Sequence, residues 1–164
     1  MKKLNKKGFT LVELLAVVVI MGILLLVAIP AIQKTIQNSK KDTFANSTKE
    51  MVNAVKNAYA SDELGSNCPN GVDGTYYVKF SDANNLLETE FKSPFEATRT
   101  MHGYIQIQVT SGKAKYYAYI YDSKGGGLTG NTEFRDIKRK NIVEKSGNTG
   151  GDIPGLSYCD MQSN

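Results

Sequence analysis

The chain has 164 residues, with 20 Lys and Arg against 16 Asp and Glu, a formal net charge of +4, two cysteines and one histidine. Lysines 2, 3, 6 and 7 account for the whole excess, so the remaining 16 basic and 16 acidic residues balance, and net basicity gives no case for nucleic acid or anionic lipid as a partner. A lone His102 argues against a Cys-His metal centre, and no serine has a plausible base, so the chain does not read as an enzyme and no catalytic, cofactor or metal residue is assigned.

From Phe9 to Ile29 the chain is apolar except for Glu13. As a helix this stretch is about 32 Å long, the thickness of a bilayer's hydrocarbon core. A carboxylate there costs on the order of 2–3 kcal/mol, which makes Glu13 a functional candidate. The run is too long for the h-region of a signal peptide, and Ile29-Pro30-Ala31 offers no small-residue cleavage site. The four preceding lysines predict a cytoplasmic N-terminus and an outer location for the rest of the chain. The plain alternative is an ordinary signal-anchor that tethers a binding domain.

The run Lys7-Gly8-Phe9-Thr10-Leu11-Val12-Glu13, followed by an apolar helix, resembles the class III leader of type IV prepilins and pseudopilins. The likeness covers residues 6 to about 32, with Gly8, Phe9 and Glu13 in register and Gly22 and Pro30 at customary places. It implies that residues 1–8 are a leader removed after Gly8 by a prepilin peptidase, which also methylates the new amine on Phe9. Residues 9–32 are then the transmembrane and assembly helix, and residues 33–164 an extracellular head that includes the amphipathic half of the helix. Glu13 is expected to be unpaired in the precursor and to meet the N-terminal amine of a neighbouring copy during assembly. The partners implied are further copies of the chain, the peptidase, the pilus assembly platform with its ATPases, and membrane lipid before assembly. Within this family the alternative to a pilus subunit is a pseudopilin of a type II secretion or DNA-uptake apparatus. Gly22 and Pro30 weaken the helix by about 1 and 3 kcal/mol. They are either ordinary membrane-helix residues or points where a filament's helix opens.

Beyond Pro30 no Gly or Pro intervenes before Gly65, which predicts one helix continuing to Glu63. Phe44, Thr48, Met51, Val52, Val55 and Tyr59 share one arc of it, with Asn46, Glu50, Asn53 and Asn57 opposite, so the head is expected to pack on residues 44–59 and to leave 32–43 bare. Cys68 and Cys159 lie on the expected outer side, where an even cysteine count favours a disulfide.

Gly65 to Gly74 is rich in turn residues. A short strand is expected at 76–80, then a helix from Asp82 to about Glu90 with Ser81 as its cap and Ser93-Pro94 after its end. The clearest β signal is Tyr104 to Val109, a turn at Ser111-Gly112-Lys113 and a return strand from Lys115 to Asp122, with Ile105, Ile107 and Val109 on the buried face. The inward face of the return strand is ambiguous, because tyrosines occupy both. A further strand is expected near Lys140 to Glu144. The resulting fold class is α+β, a type IV pilin fold with a long N-terminal helix packed on a small antiparallel sheet.

Three other patterns carry less. Gly125-Gly126-Gly127-Leu128-Thr129-Gly130 has the spacing of a dinucleotide loop but follows a hairpin strand, and reads instead as a flexible surface loop. Arg135, Lys138, Arg139 and Lys140 form a basic cluster, which most often is a solvated face, so nucleic acid is an unlikely partner. Asp122, Asn131, Glu133 and Asp136 offer oxygens without the spacing of a calcium loop.

Overall fold

The computed structural model describes residues 10–145 and 156–161. The chain forms two units, Met1–Gln37 and Asn38–Asn164. Helix α1 runs Leu11–Ala60 and passes through Pro30 without a break. In the second unit the expected stripe is buried: Phe44, Thr48, Met51, Val52, Val55 and Tyr59 face inward, joined by Ala45 and Ala58. Asn46, Glu50, Asn53 and Asn57 are exposed.

The helix stops three residues earlier than expected. Asp62 takes a left-handed backbone, φ 59°, its N–H bonds the Tyr59 carbonyl at 3.2 Å, and the Glu63 N–H reaches back to Ala58 at 2.9 Å. That pair of bonds is a Schellman ending with Asp in the place usually taken by Gly, a substitution the short polar side chain tolerates. Contact with the rest of this unit also begins before Phe44. Lys40 Nζ donates to the Phe95 carbonyl at 3.1 Å, and Arg139 forms a two-pronged ion pair with Asp42.

Strand β1, Gly74–Lys79, leads into the short helix α2, Phe80–Asn85. Ser81 lies inside α2, not at its cap, and the helix ends near Asn85 instead of Glu90. Its Asn84 side chain accepts the Phe91 N–H at 2.8 Å, which turns the following segment back on the helix. Strands β2, Met101–Thr110, and β3, Lys113–Asp122, form the predicted hairpin. Its two-residue turn has positive φ at Ser111 (53°) and Gly112 (69°), the twist that suits a tight hairpin. Asp73 accepts both turn amides at 2.9 Å. Those two bonds hold its carboxyl below the ordinary carboxylate value.

Three two-residue strands complete the sheet: β4 at Gly127–Leu128, β5 at Thr132–Glu133 and β6 at Ile142–Val143. The order is β1-β2-β3-β4-β6, with β5 also paired to β3. Between β5 and β6 lie two single 3-10 turns, Phe134–Asp136 and Arg139–Asn141. The hairpin register settles the ambiguous strand. Tyr117 and Tyr119 sit opposite Gln106 and Tyr104 on the outer face, while Ala118 and Ile120 are fully buried on the inner one.

The core lies between this inner face and α1. Phe44 meets the rings of Phe91 and Phe95 at 5.2 and 5.9 Å, and Ile105, Ile107, Ile120, Leu128, Ile137 and Ile142 are closed to solvent. Each such side chain contributes about 1.5–3 kcal/mol relative to exposure.

The Gly125–Gly127 segment is not a flexible surface loop; all three glycines are buried. Asp122 folds it tightly, accepting the N–H groups of Lys124 and Gly126 at 2.9 and 2.8 Å. A Cβ on Gly126 would lie 2.9 Å from Phe95 and 2.8 Å from the Asp122 carboxylate, so the space that makes glycine necessary is already filled.

Candidate functional site

Thr10 is the residue before the first turn of α1, and its side chain and Glu13 satisfy each other. The Thr10 N–H and hydroxyl both donate to Glu13 Oε2 at 2.8 Å, and the Glu13 N–H donates to Thr10 Oγ1 at 3.3 Å. The Thr10 carbonyl accepts the Leu14 N–H at 3.2 Å, the first intrahelical bond. This is a reciprocal capping box, in which two of the orphan amides of a helix start gain partners. Glu13 is therefore not unpaired before any neighbour arrives, as the apolar run had suggested. The Thr-x-x-Glu spacing ahead of an apolar run carries this signal in the sequence.

Behind the cap the first unit is apolar and open. From Leu11 to Ile36 every large hydrophobic residue is exposed, Leu11 by 82% and Leu26 and Val27 by 75%. The segment is long and apolar enough to cross a membrane. Exposed apolar surface on that scale marks a membrane or protein contact. A Cβ on Gly22 would meet nothing within 4 Å, so no contact within the described chain requires glycine there. Pro30 lies within the intact helix. Gly8 and Phe9 lie outside the described residues.

Cys68 and Cys159 are joined in a disulfide with their Cα atoms 5.6 Å apart. It fastens the tail beside β1: Tyr158 bridges Tyr77 in parallel, the Cys159 N–H donates to the Tyr77 carbonyl at 2.8 Å, and the Asn67 amide clasps Tyr158 and Asp160. Asn67 was not singled out from sequence.

Among the described residues no group of three or more His, Cys, Asp or Glu is placed to hold a metal ion. Of the four oxygen donors considered, Asp122 is committed to Ser93 at 2.8 Å and Arg99 at 3.1 Å, and Asn131 turns its amide to Gln106 at 2.6 Å. His102 is half-buried against Tyr121, with ring centroids 6.1 Å apart.

Residues 3–29 match the family described as the prokaryotic N-terminal methylation motif. The chain is 33% identical over 109 residues to the type IV major fimbrial protein FimA of Dichelobacter nodosus, covering 66% of this chain and 64% of that one. The chain carries the N-terminal methylation motif and is similar to type IV fimbrial proteins over roughly two thirds of its length. This pilin-like chain is also 28% identical over 109 residues to a fimbrial protein of Pseudomonas aeruginosa, covering 66% of its own length and 70% of the relative's. It thus spans just under two thirds of the Dichelobacter protein's length. These relatives bear the names of fimbrial proteins, not of enzymes. No solved structure matches the pilin-like chain significantly.

Proposed function

We propose that the chain is a structural subunit of a type IV pilus, made as a single-pass precursor with its N-terminus in the cytoplasm, trimmed after Gly8, methylated on Phe9 and polymerised through its N-terminal helix. The observation that carries this reading is the exposed apolar stretch from Leu11 to Ile36, interrupted only by Glu13 and polar residues after Pro30, on a chain related to fimbrial proteins. A surface of that size needs lipid or neighbouring helices to cover it, and the same surface suits both in turn.

The capping box supplies a route between the two states. Thr10 satisfies Glu13 locally while the helix stands in lipid, which offsets part of the cost of holding a carboxylate there. Hydrolysis of the Gly8–Phe9 peptide bond leaves a carboxylate on Gly8 and an amine on Phe9. The amine of an incoming copy then competes with Thr10 for Glu13, and a charge-assisted bond in low dielectric outweighs a neutral one. Gly22 and Pro30 provide the weak points at which the helix can open as copies pack.

A mass spectrum of mature protein sheared from cells tests this reading. The expected mass corresponds to residues 9–164 with one added methyl group and two hydrogens fewer for the disulfide. A chain that keeps residues 1–8 and never leaves the membrane would overturn it. A correctly trimmed chain retained in the membrane fraction would instead indicate the short filament of a pseudopilin.

A further inference from the structure

An open groove of about 700 Å³ in the second unit runs between α1 and the segment from Lys138 to Val143. Lys41 and Lys49 stand on its helical side, about 12 Å apart along the axis. Lys138 and Lys140 flank Arg139 on the other side. Arg139 is held by Asp42, the one acid in the lining. No ion pair among the described residues engages the other four cations. Half-buried Val143 lies between the charged rims, with Ala45 and Ile142 nearly closed to solvent beneath.

This concentration of positive charge stands in a chain whose sequence beyond the first eight residues carries equal numbers of acidic and basic groups. The compensating charge must lie elsewhere, and part of it is the exposed run Glu88-Thr89-Glu90 after α2, where among the described residues Lys92 alone pairs with Glu90. The groove has no aromatic side chain in its lining. Single-stranded nucleic acid sites commonly stack bases on such rings, so a peptide suits the groove better.

We infer that the groove receives the Glu88–Glu90 segment of a second copy of this chain, a contact between heads that adds to the contact between N-terminal helices. The inference rests on the self-assembly reading above. Like charges brought to such an interface oppose association, and swapping both partners restores the match.

The test uses the full chain in cells, with sheared filaments measured by immunoblot. Lys138→Glu with Lys140→Glu, and separately Glu88→Lys with Glu90→Lys, should each lower released filament about tenfold, while an oxidised Cys68–Cys159 bond on a non-reducing gel shows that the head has folded. Combining all four substitutions should restore release. Full release by either double variant, or no recovery in the combined one, overturns the inference. Carbodiimide treatment of wild-type cells provides a second measurement that needs no variant. The expected product is a peptide joining Lys138 or Lys140 to Glu88 or Glu90 of another copy. Its absence from filaments overturns the contact, as does normal filament yield with loss of DNA retention in the Lys138→Glu, Lys140→Glu variant. A wild type that stays wholly in the membrane defeats the filament reading instead, and the cross-link measured in membranes then decides the groove alone.

Discussion

Arg99 Nη1 lies 3.1 Å from a carboxylate oxygen of Asp122, whose side chain has no exposed surface. The same oxygen accepts the Ser93 hydroxyl at 2.8 Å, and the other oxygen accepts two turn amides. One buried acid thus joins the segment before β2, the end of β3 and the start of β4.

Asp122→Ala should destabilise the head by about 2–4 kcal/mol, because two turn amides and the Ser93 hydroxyl lose their acceptor while Arg99 keeps Glu96 and the Glu144 carbonyl. Asp122→Asn keeps the volume and some of the bonds and should cost less. Denaturant unfolding of both variants measures the difference, and equal, small losses would show the network to be unimportant.

Glu96 gives the head a pH dependence. Hydrogen bonds from Lys124, Arg99 and Thr98 lower its pKa from 4.5 to about 2. A group held lower in the folded state stabilises it above the unfolded pKa and loses that contribution as pH falls through the folded one. Stability should therefore be level from neutral pH to about 5 and decline between about 4.5 and 2. Glu96→Gln should make that decline shallower in thermal melts; an unchanged slope would exclude Glu96 as a contributor. Asp42 and Asp73, lowered by Arg139 and by the hairpin amides respectively, act in the same direction.

Gly127→Ala tests the tight turn after β3. Its φ of 149° is disfavoured for a side chain, and the new Cβ would press on the Ile120 carbonyl and on Tyr121 Cα at 2.6 Å. Backbone strain alone costs about 1–3 kcal/mol. The variant should show a lower melting temperature, whereas Gly112→Ala, with nothing within 4 Å of its Cβ, should lose less.

Thr10 and Glu13 have separable contributions. Thr10→Val removes the cap hydroxyl and should weaken the helix start by about 1 kcal/mol, slowing filament formation without abolishing it. Glu13→Val should insert in the membrane normally and yield no sheared filament. Normal assembly of the Glu13 variant would sink the pairing proposed for this carboxylate.

The hairpin and the buried face of α1 were legible because local rules set them. A period of two over Ile105, Ile107 and Val109, a period near 3.6 over Phe44 to Tyr59, and turn residues at Ser111-Gly112 all point to the geometry found. Other features depend on partners distant in sequence. Gly125–Gly127 reads as loose until Asp122 and Phe95 close around it, and the two-residue strands β4, β5 and β6 are too short to show a period. Ser81 resembles a cap, but Phe80 is already helical as it enters the core. The stop at Asp62 was hidden because Asp adopts a left-handed backbone far less often than the Gly65 that follows. At the N-terminus the Thr10-x-x-Glu13 spacing is a local signal of the cap found there, three residues from the carboxylate.

The tail fastened beside Tyr77 bears on the filament reading proposed above. β1 is the outermost strand on its side of the sheet, and a bare strand there would invite another chain to add to it. Tyr158 and Cys159 occupy that position at Tyr77, and the disulfide keeps them from leaving. The middle of this edge is thus blocked at Tyr77 by the chain's own tail, so that copies gathered through their helices, as proposed above, meet an edge strand already interrupted where another strand would add.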